Sequence, residues 1–282
     1  MALPVFSSTN DPGSAFTDLL RCLNQDPKVS RFSNEFFSYR SANESTSQFS
    51  TNELTFRHAT TVMAIKFSQG VLIAGDRRAT EGYSIAYRNM EKVFPGDRYS
   101  AIAIAGTAGP ALELVKLFQT QLEHYEKVEG TVLSLEGKAN QLSQLVRANL
   151  SSAFQGMVVI PLFAGWDCKR KVGRIFTYDV TGGRYEEADY HATGSGGRHA
   201  RTTIKLGYKE GMSLKGALRL GIQALYEAAD EDLGTGGPDA LRGIYPTVAT
   251  VTEKGFEFLE EAEVAGQFET FMVSKSSSGD KS

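Results

Sequence analysis

Two adjacent threonines, Thr60 and Thr61, stand where the chain changes character. The residues before them, "RSANESTSQFSTNE" (40–53), are polar and carry one aromatic. The residues after them, "TTVMAIKF" (60–67), form an apolar run. A threonine hydroxyl is a poor nucleophile until a base takes its proton, and one available base is the residue's own α-amine, with a reference pKa of about 7.7–8.0. That amine exists only after the preceding peptide bond is cut. A discardable leader ahead of a strand-initial threonine is the arrangement such chemistry needs. Taken by themselves, the two threonines are also ordinary β-branched strand formers.

Asp76 and Lys92 are the charges that bear most on this site. Asp76 ends the apolar run "GVLIAGD" (70–76), where an unpaired carboxylate is costly. Lys92 in "NMEKVF" precedes apolar Val93 and Phe94. If the two segments run side by side, these residues form a half-buried pair. Four small-residue motifs close strands or flank helices: "GDRRAT" (75–80), "AGTAG" (105–109), "ATGSGG" (192–197) and "GTGGPD" (234–239). Each by itself is a glycine turn. "GSGGRHA" is not a dinucleotide fingerprint, because His199 stands where the third glycine belongs, and no GK[ST] follows. Ser195 lacks the G-x-S-x-G frame of a hydrolase elbow. His58, His124, His191 and His199 match no metal spacing. Neither a metal nor a cofactor is expected.

The elements that must position these residues follow from periodicity. Residues 60–67 and 70–79 predict a hairpin turning near Ser68–Gly70, and 99–106 a further strand. Apolar residues at three- and four-residue steps predict helices over 110–127 and 135–154. Strands follow at 157–165, 173–180 and 185–193, then helices at 197–207 and 213–229, then strands at 244–252 and 256–260. Two sets of hairpin-linked strands and two helix pairs can build α, β, β and α layers in one domain. The expected class is therefore α+β, with mainly antiparallel sheets. The catalytic domain is expected over 60–265, with a flexible tail over 266–282. The leader 1–59 holds a short amphipathic helix (14–25) and a flexible linker (40–53).

Composition narrows the function. The 282 residues carry 30 basic and 33 acidic side chains, so there is no basic excess for nucleic acid. No apolar run approaches the ~20 residues that span a bilayer, and the first residues do not form a secretory signal. Cys22 and Cys168 fit no metal or redox spacing. A cytoplasmic protein is expected.

The motifs "ATTVMAIKFSQGVLIAGDRRAT", "NMEKVF", "IAIAGTAG", "ATGSGG" and "EAADEDLGTGGPDALRGIYPT" together resemble the β subunits of the proteasome core particle, actinobacterial type, over about 58–260. The resemblance implies an N-terminal nucleophile hydrolase with a four-layer αββα sandwich, acting as a threonine endopeptidase. Thr60 would be the nucleophile once 1–59 are removed autocatalytically at Ala59–Thr60. Lys92 would favour its deprotonated hydroxyl, with Asp76 orienting Lys92. Asp232 and Ser195 would hold the freed amine, and Thr235 would take the family's usual serine place. The Gly106 N–H would be the oxyanion donor. Ala79, Thr80, Met90, Ile104 and Ala108 would line the substrate pocket, and their apolar character predicts cleavage after hydrophobic residues. The implied partners are a homo-heptameric β ring stacked on a second β ring, capping α-subunit rings, an ATPase activator ring and unfolded protein substrates. Two departures stand out: Ala59 replaces the usual glycine before the nucleophile, and Gly197 replaces a frequent second serine. An HslV-type peptidase and an unprocessed structural β-ring subunit are the competing readings.

Overall fold

In β1 (Thr61–Phe67), alternate side chains serve two different cores. Val62 and Ala64 face one apolar cluster, while Met63, Ile65 and Phe67 face another. The same alternation holds in β2 (Gly70–Gly75), where Val71 and Ile73 go one way and Leu72 and Ala74 the other. A strand buried on both faces reads as a continuous apolar run, which is why these segments show no polar alternation. The computed structural model describes residues 60–82 and 84–279. The expected leader helix and linker, and Cys22, lie outside them.

The first sheet has the order β10-β1-β2-β11-β12, with β10 at Tyr190–Gly194, β11 at Thr247–Thr252 and β12 at Gly255–Phe258. The second has the order β5-β6-β7-β8-β9, at Val93–Asp97, Ser100–Gly106, Val159–Asp167, Val172–Tyr178 and Arg184–Glu187. All pairings in both are antiparallel. In β6, Ala101, Ala103 and Ala105 face the first sheet's cluster, and Ile102 and Ile104 face away from it. Many small residues line the space between the sheets, which lets the layers approach closely.

Helices cover both outer faces. On the second sheet lie α1 (Ala108–Glu129) and α2 (Leu135–Ala148), which bury Leu114, Phe118, Ala139 and Leu142 beside Phe163 and Phe176. Ser134 caps α2 by accepting the Gly137 N–H at 3.1 Å. On the first sheet lie α4 (Gly197–Gly207) and α5 (Leu214–Glu231), packed against Met63 and Leu72. Gly221 of α5 meets β1 so closely that a Cβ would lie 2.3 Å from Met63 Cε. The layers run α, β, β, α, in the expected α+β class.

Several expectations need correction. The strand expected over 185–193 is two strands: β9 pairs with β8 in the second sheet, and β10 pairs with β1 in the first. The chain changes sheets between Glu187 and Tyr190, which periodicity cannot reveal. The helix expected over 135–154 breaks at Asn149, leaving the short α3 (Leu150–Ala153). A small hairpin, β3 (Ala79–Glu81) with β4 (Ser84–Tyr87), was not foreseen. Residues 266–279, expected as a flexible tail, belong to α6 (Glu261–Gly279), and Val264, Phe268 and Phe271 at helical spacing are buried in the core under α5.

Candidate active site

Thr60 precedes β1 and Asp76 follows β2, so the pairing of Val62 with Gly75 sets the two side by side at the open end of the first sheet. Asp76 is fully buried. Its Oδ1 accepts the Thr61 N–H at 2.8 Å and Lys92 Nζ at 2.7 Å, and its Oδ2 accepts the N–H groups of Arg78 (2.9 Å) and Gly236 (2.8 Å). A carboxylate with this many charge-assisted donors is held in one orientation. Lys92 is 2% exposed and also donates to the Arg78 carbonyl at 2.5 Å. The pair was expected to be half-buried and is wholly so. Burial pushes the Lys92 ammonium below the ordinary lysine range, and the attraction of Asp76 opposes that fall only in part.

Lys92 is delivered by the second sheet. It precedes β5, where Val93 pairs with Ala103, and its carbonyl accepts the Ile104 N–H at 2.9 Å. Gly75 makes room for it, since a Cβ there would lie 3.3 Å from Lys92 Cβ.

The second carboxylate, Asp232, caps the C-terminus of α5. Its Oδ2 accepts the Ser195 hydroxyl and the Thr235 hydroxyl, the latter at 2.6 Å. Ser195 Oγ accepts the Thr60 N–H at 3.2 Å, and the Ser195 N–H donates to the Thr60 carbonyl at 2.9 Å. Asp232 thus reaches the Thr60 nitrogen through Ser195. Here that nitrogen is a peptide nitrogen joined to Ala59, and it stands for the amine that cleavage would release. The loop before α4 fits this contact closely. Gly194 adopts φ +98°, and a Cβ on it would lie 1.9 Å from the Thr60 carbonyl oxygen, so only glycine is tolerated.

Thr60 also lines a small cavity together with Lys92, Gly106, Ala79, Thr80, Met90, Ile104 and Ala108. Gly106 ends β6 at φ +111°, and a Cβ there would meet the Val158 carbonyl oxygen at 2.1 Å. The cavity shares Ala79, Thr80, Met90 and Ala108 with a wider, mostly apolar groove that runs past Tyr87 and Met157. Among the described residues no group of three or more His, Cys, Asp and Glu side chains could hold a metal ion.

Thr60, Asp76, Lys92, Gly106, Ser195, Asp232 and Thr235 lie together at one end of the sandwich with the expected pocket residues, whereas His124, His191, His199 and Cys168 take no part in these contacts. Sequence reasoning missed the backbone donors Arg78 and Gly236, and it took Thr61 for a strand residue only. The glycine motifs that carry Gly194, Gly196 and Gly236 were visible, but a glycine turn does not announce which oxygen it makes room for.

Comparison with known proteins decides the family. The family model described as "Proteasome subunit" matches residues 56–240. The chain is 54% identical to a proteasome subunit beta of Acidimicrobium ferrooxidans over 94% of this chain and 91% of that protein. It is 58% identical to one from Streptomyces griseus over 73% of each chain, and 51% identical to one from Jonesia denitrificans over 78% of this chain and 72% of that one. The chain belongs to the proteasome subunit family. Its match to β subunits makes it a threonine endopeptidase of the proteasome core. The α, β, β and α layers agree with membership of this family.

Proposed function

We propose that residues 1–59 are a removable propeptide and that Thr60 becomes the catalytic nucleophile when they are lost. The observation that carries this reading is the double engagement of Thr60. Its nitrogen donates to Ser195, and the residue lines the same cavity as the buried Lys92. In self-cleavage, Thr60 Oγ attacks the Ala59 carbonyl carbon, the C–N bond breaks, and the nitrogen takes up a proton. That cleavage frees the amine, and water then hydrolyses the resulting ester, which releases residues 1–59 as a carboxylic acid and restores the Thr60 hydroxyl.

The mature site repeats the chemistry on substrate. The neutral amine takes the Thr60 hydroxyl proton as Oγ attacks a peptide carbonyl, and the Gly106 N–H receives the developing oxyanion. The proton passes to the leaving amine, an acyl ester remains, and water activated by the same amine releases it. The Lys92 cation favours the alkoxide, and Asp76 holds Lys92 in place. Ser195 and Asp232, with Thr235, hold the amine. Ala79, Thr80, Met90, Ile104 and Ala108 receive an apolar side chain before the cut, which supports cleavage after hydrophobic residues.

The chain assembles into proteasome core rings. The finer reading is a homo-heptameric β ring stacked on a second one, capped by α-subunit rings and fed unfolded proteins by an ATPase ring in the cytoplasm. Among the described residues no helix is long and apolar enough to cross a membrane.

Mass spectrometry of the assembled particle, paired with peptidase assays, tests the reading. A subunit beginning at Thr60, active on hydrophobic substrates and inactive as Thr60→Ala, is expected. A particle that retains residue 1 yet is otherwise intact would instead make this a structural ring subunit. Cleavage only after acidic or basic residues would overturn the pocket assignment.

A further inference from the structure

Thr61 does more than extend β1. It is wholly buried, its N–H donates to Asp76 at 2.8 Å, and its Oγ1 lies 2.7 Å from Thr235 Oγ1. One residue thus touches both carboxylate systems that flank Thr60. Counting protons fixes the direction of the hydroxyl pair. Thr235 has a single hydroxyl proton, and an ionised carboxylate can only accept, so that proton goes to Asp232 Oδ2 at 2.6 Å. The bond between the two threonines must then be donated by Thr61. Ser195 is bound by the same rule: its proton goes to the same Asp232 oxygen, so its lone pairs are left to accept the Thr60 N–H.

The result is a directed chain with Asp232 at its centre: Thr61 to Thr235 to Asp232 on one side, Thr60 nitrogen to Ser195 to Asp232 on the other. Because the Thr60 nitrogen acts as the donor to Ser195, the lone pair it gains on release is left free to take the Oγ proton. Space at the junction is tight. A Cβ on Gly196 would lie 2.5 Å from Thr61 Oγ1 and 2.6 Å from Thr235 Oγ1, so any side chain there would part the two hydroxyls.

We propose that Thr61 is a positioning residue for hydrolysis: by donating to Thr235, it fixes and polarises the hydroxyl that binds Asp232 and so holds Asp232 and Ser195 in register with the Thr60 nitrogen. This rests on the reading of Thr60 as nucleophile. Without the Thr61 hydroxyl, Thr235 still donates to Asp232 but no longer accepts the bond that orients and polarises its hydroxyl.

The test exploits two nearly isosteric changes. Thr61→Val keeps the branched shape and removes the hydroxyl, while Thr61→Ser keeps the hydroxyl and removes a methyl group. Peptidase kcat/KM is measured on the assembled particle per subunit cleaved at Thr60. Thr61→Val should lose about three- to tenfold, the scale of one hydrogen bond in the network, and Thr61→Ser should stay close to the parent. The double variant Thr61→Val/Thr235→Val should be no worse than Thr235→Val alone, because the two hydroxyls act in series. An assembled Thr61→Val particle that stays uncleaved while Thr61→Ser is cleaved also supports the role, since it again separates hydroxyl from shape. The proposal is overturned if Val matches the parent, if Ser is the more damaging change, or if the two losses multiply in the double variant. A Thr60→Ala particle that still hydrolyses peptide would bring down the underlying reading, whereas an inactive one beside an unimpaired Thr61→Val brings down the relay alone.

Discussion

At the scale of single residues, the buried Lys92–Asp76 pair sets the terms. Removing one partner of such a pair leaves an uncompensated buried charge and costs about 3–5 kcal/mol. Asp76→Asn should therefore destabilise the fold by about that amount. It should also lower peptide hydrolysis by at least ~100-fold, since each 1.4 kcal/mol is a factor of ten. Denaturant unfolding and peptidase assays on the same preparation check both. The depressed Lys92 pKa also predicts a pH dependence. Because burial brings that pKa below the ordinary lysine range, the cation is lost, and kcat/KM should fall, at lower pH than an exposed lysine would allow. The linkage sign separates this from unfolding. Between the folded pKa of Lys92 and its higher unfolded value, the unfolded chain binds more protons, so this group makes the fold more stable as pH rises. A kcat/KM profile that stays flat through the ordinary lysine range would remove Lys92 from its electrostatic role. Ala59 adds a prediction on maturation. If self-cleavage needs a left-handed turn before Thr60, alanine costs roughly 1 kcal/mol or more there relative to glycine. Ala59→Gly should then mature about fivefold faster, and equal rates in a time course of processing would refute the turn.

At the scale of elements, what the sequence revealed depended on periodicity. Helices α1 and α2 were legible because their apolar residues repeat at helical steps over long stretches, and α4 and α5 also stand where helices were expected. Thr60, Asp76 and Lys92 stood out from the residues themselves because they border apolar runs, whereas the roles expected for Ser195, Asp232, Thr235 and Gly106 came from the resemblance alone. Segment 184–194 misled because β9 and β10 are both short and continuous in pattern, although they belong to different sheets. The segment after 265 misled because its final residues are serine-rich, which masks Phe268 and Phe271, on one helical face with Val264. Those rings engage Tyr226 and Tyr245, with Tyr226 and Phe271 edge-to-face at 5.3 Å. α6 is thus part of the core, and Phe268→Ala should cost about 3–5 kcal/mol in denaturant unfolding. Val273→Ala, on an exposed position of the same helix, should change stability by less than ~0.5 kcal/mol. Similar small effects at both positions would return α6 to the status of a dispensable tail.

At the scale of the whole molecule, the site belongs to neither sheet. The first sheet presents Thr60 and Asp76 and, through the loops around α4 and α5, Ser195 and Asp232. The second presents Lys92 and Gly106. The spacing between the sheets therefore sets the distances among Thr60, Lys92 and Gly106, the proposed nucleophile, cation and oxyanion donor, and that spacing depends on small inward side chains such as Ala64, Ala103, Ala164 and Ala249. Ala103 is the sharpest place to test this, because it pairs with Val93, next to Lys92. An added pair of methyl groups in a packed core costs about 1–3 kcal/mol. Ala139→Val, placed between α2 and the outer face of the second sheet, should cost a similar amount while leaving the inter-sheet spacing alone. We expect Ala103→Val to lower kcat/KM at least ~10-fold, since small misplacements of catalytic groups are amplified in rate, and Ala139→Val to lower it less than ~2-fold at matched loss of stability. If the two variants lose activity in proportion to stability alone, the sheets do not act as the two jaws of the site.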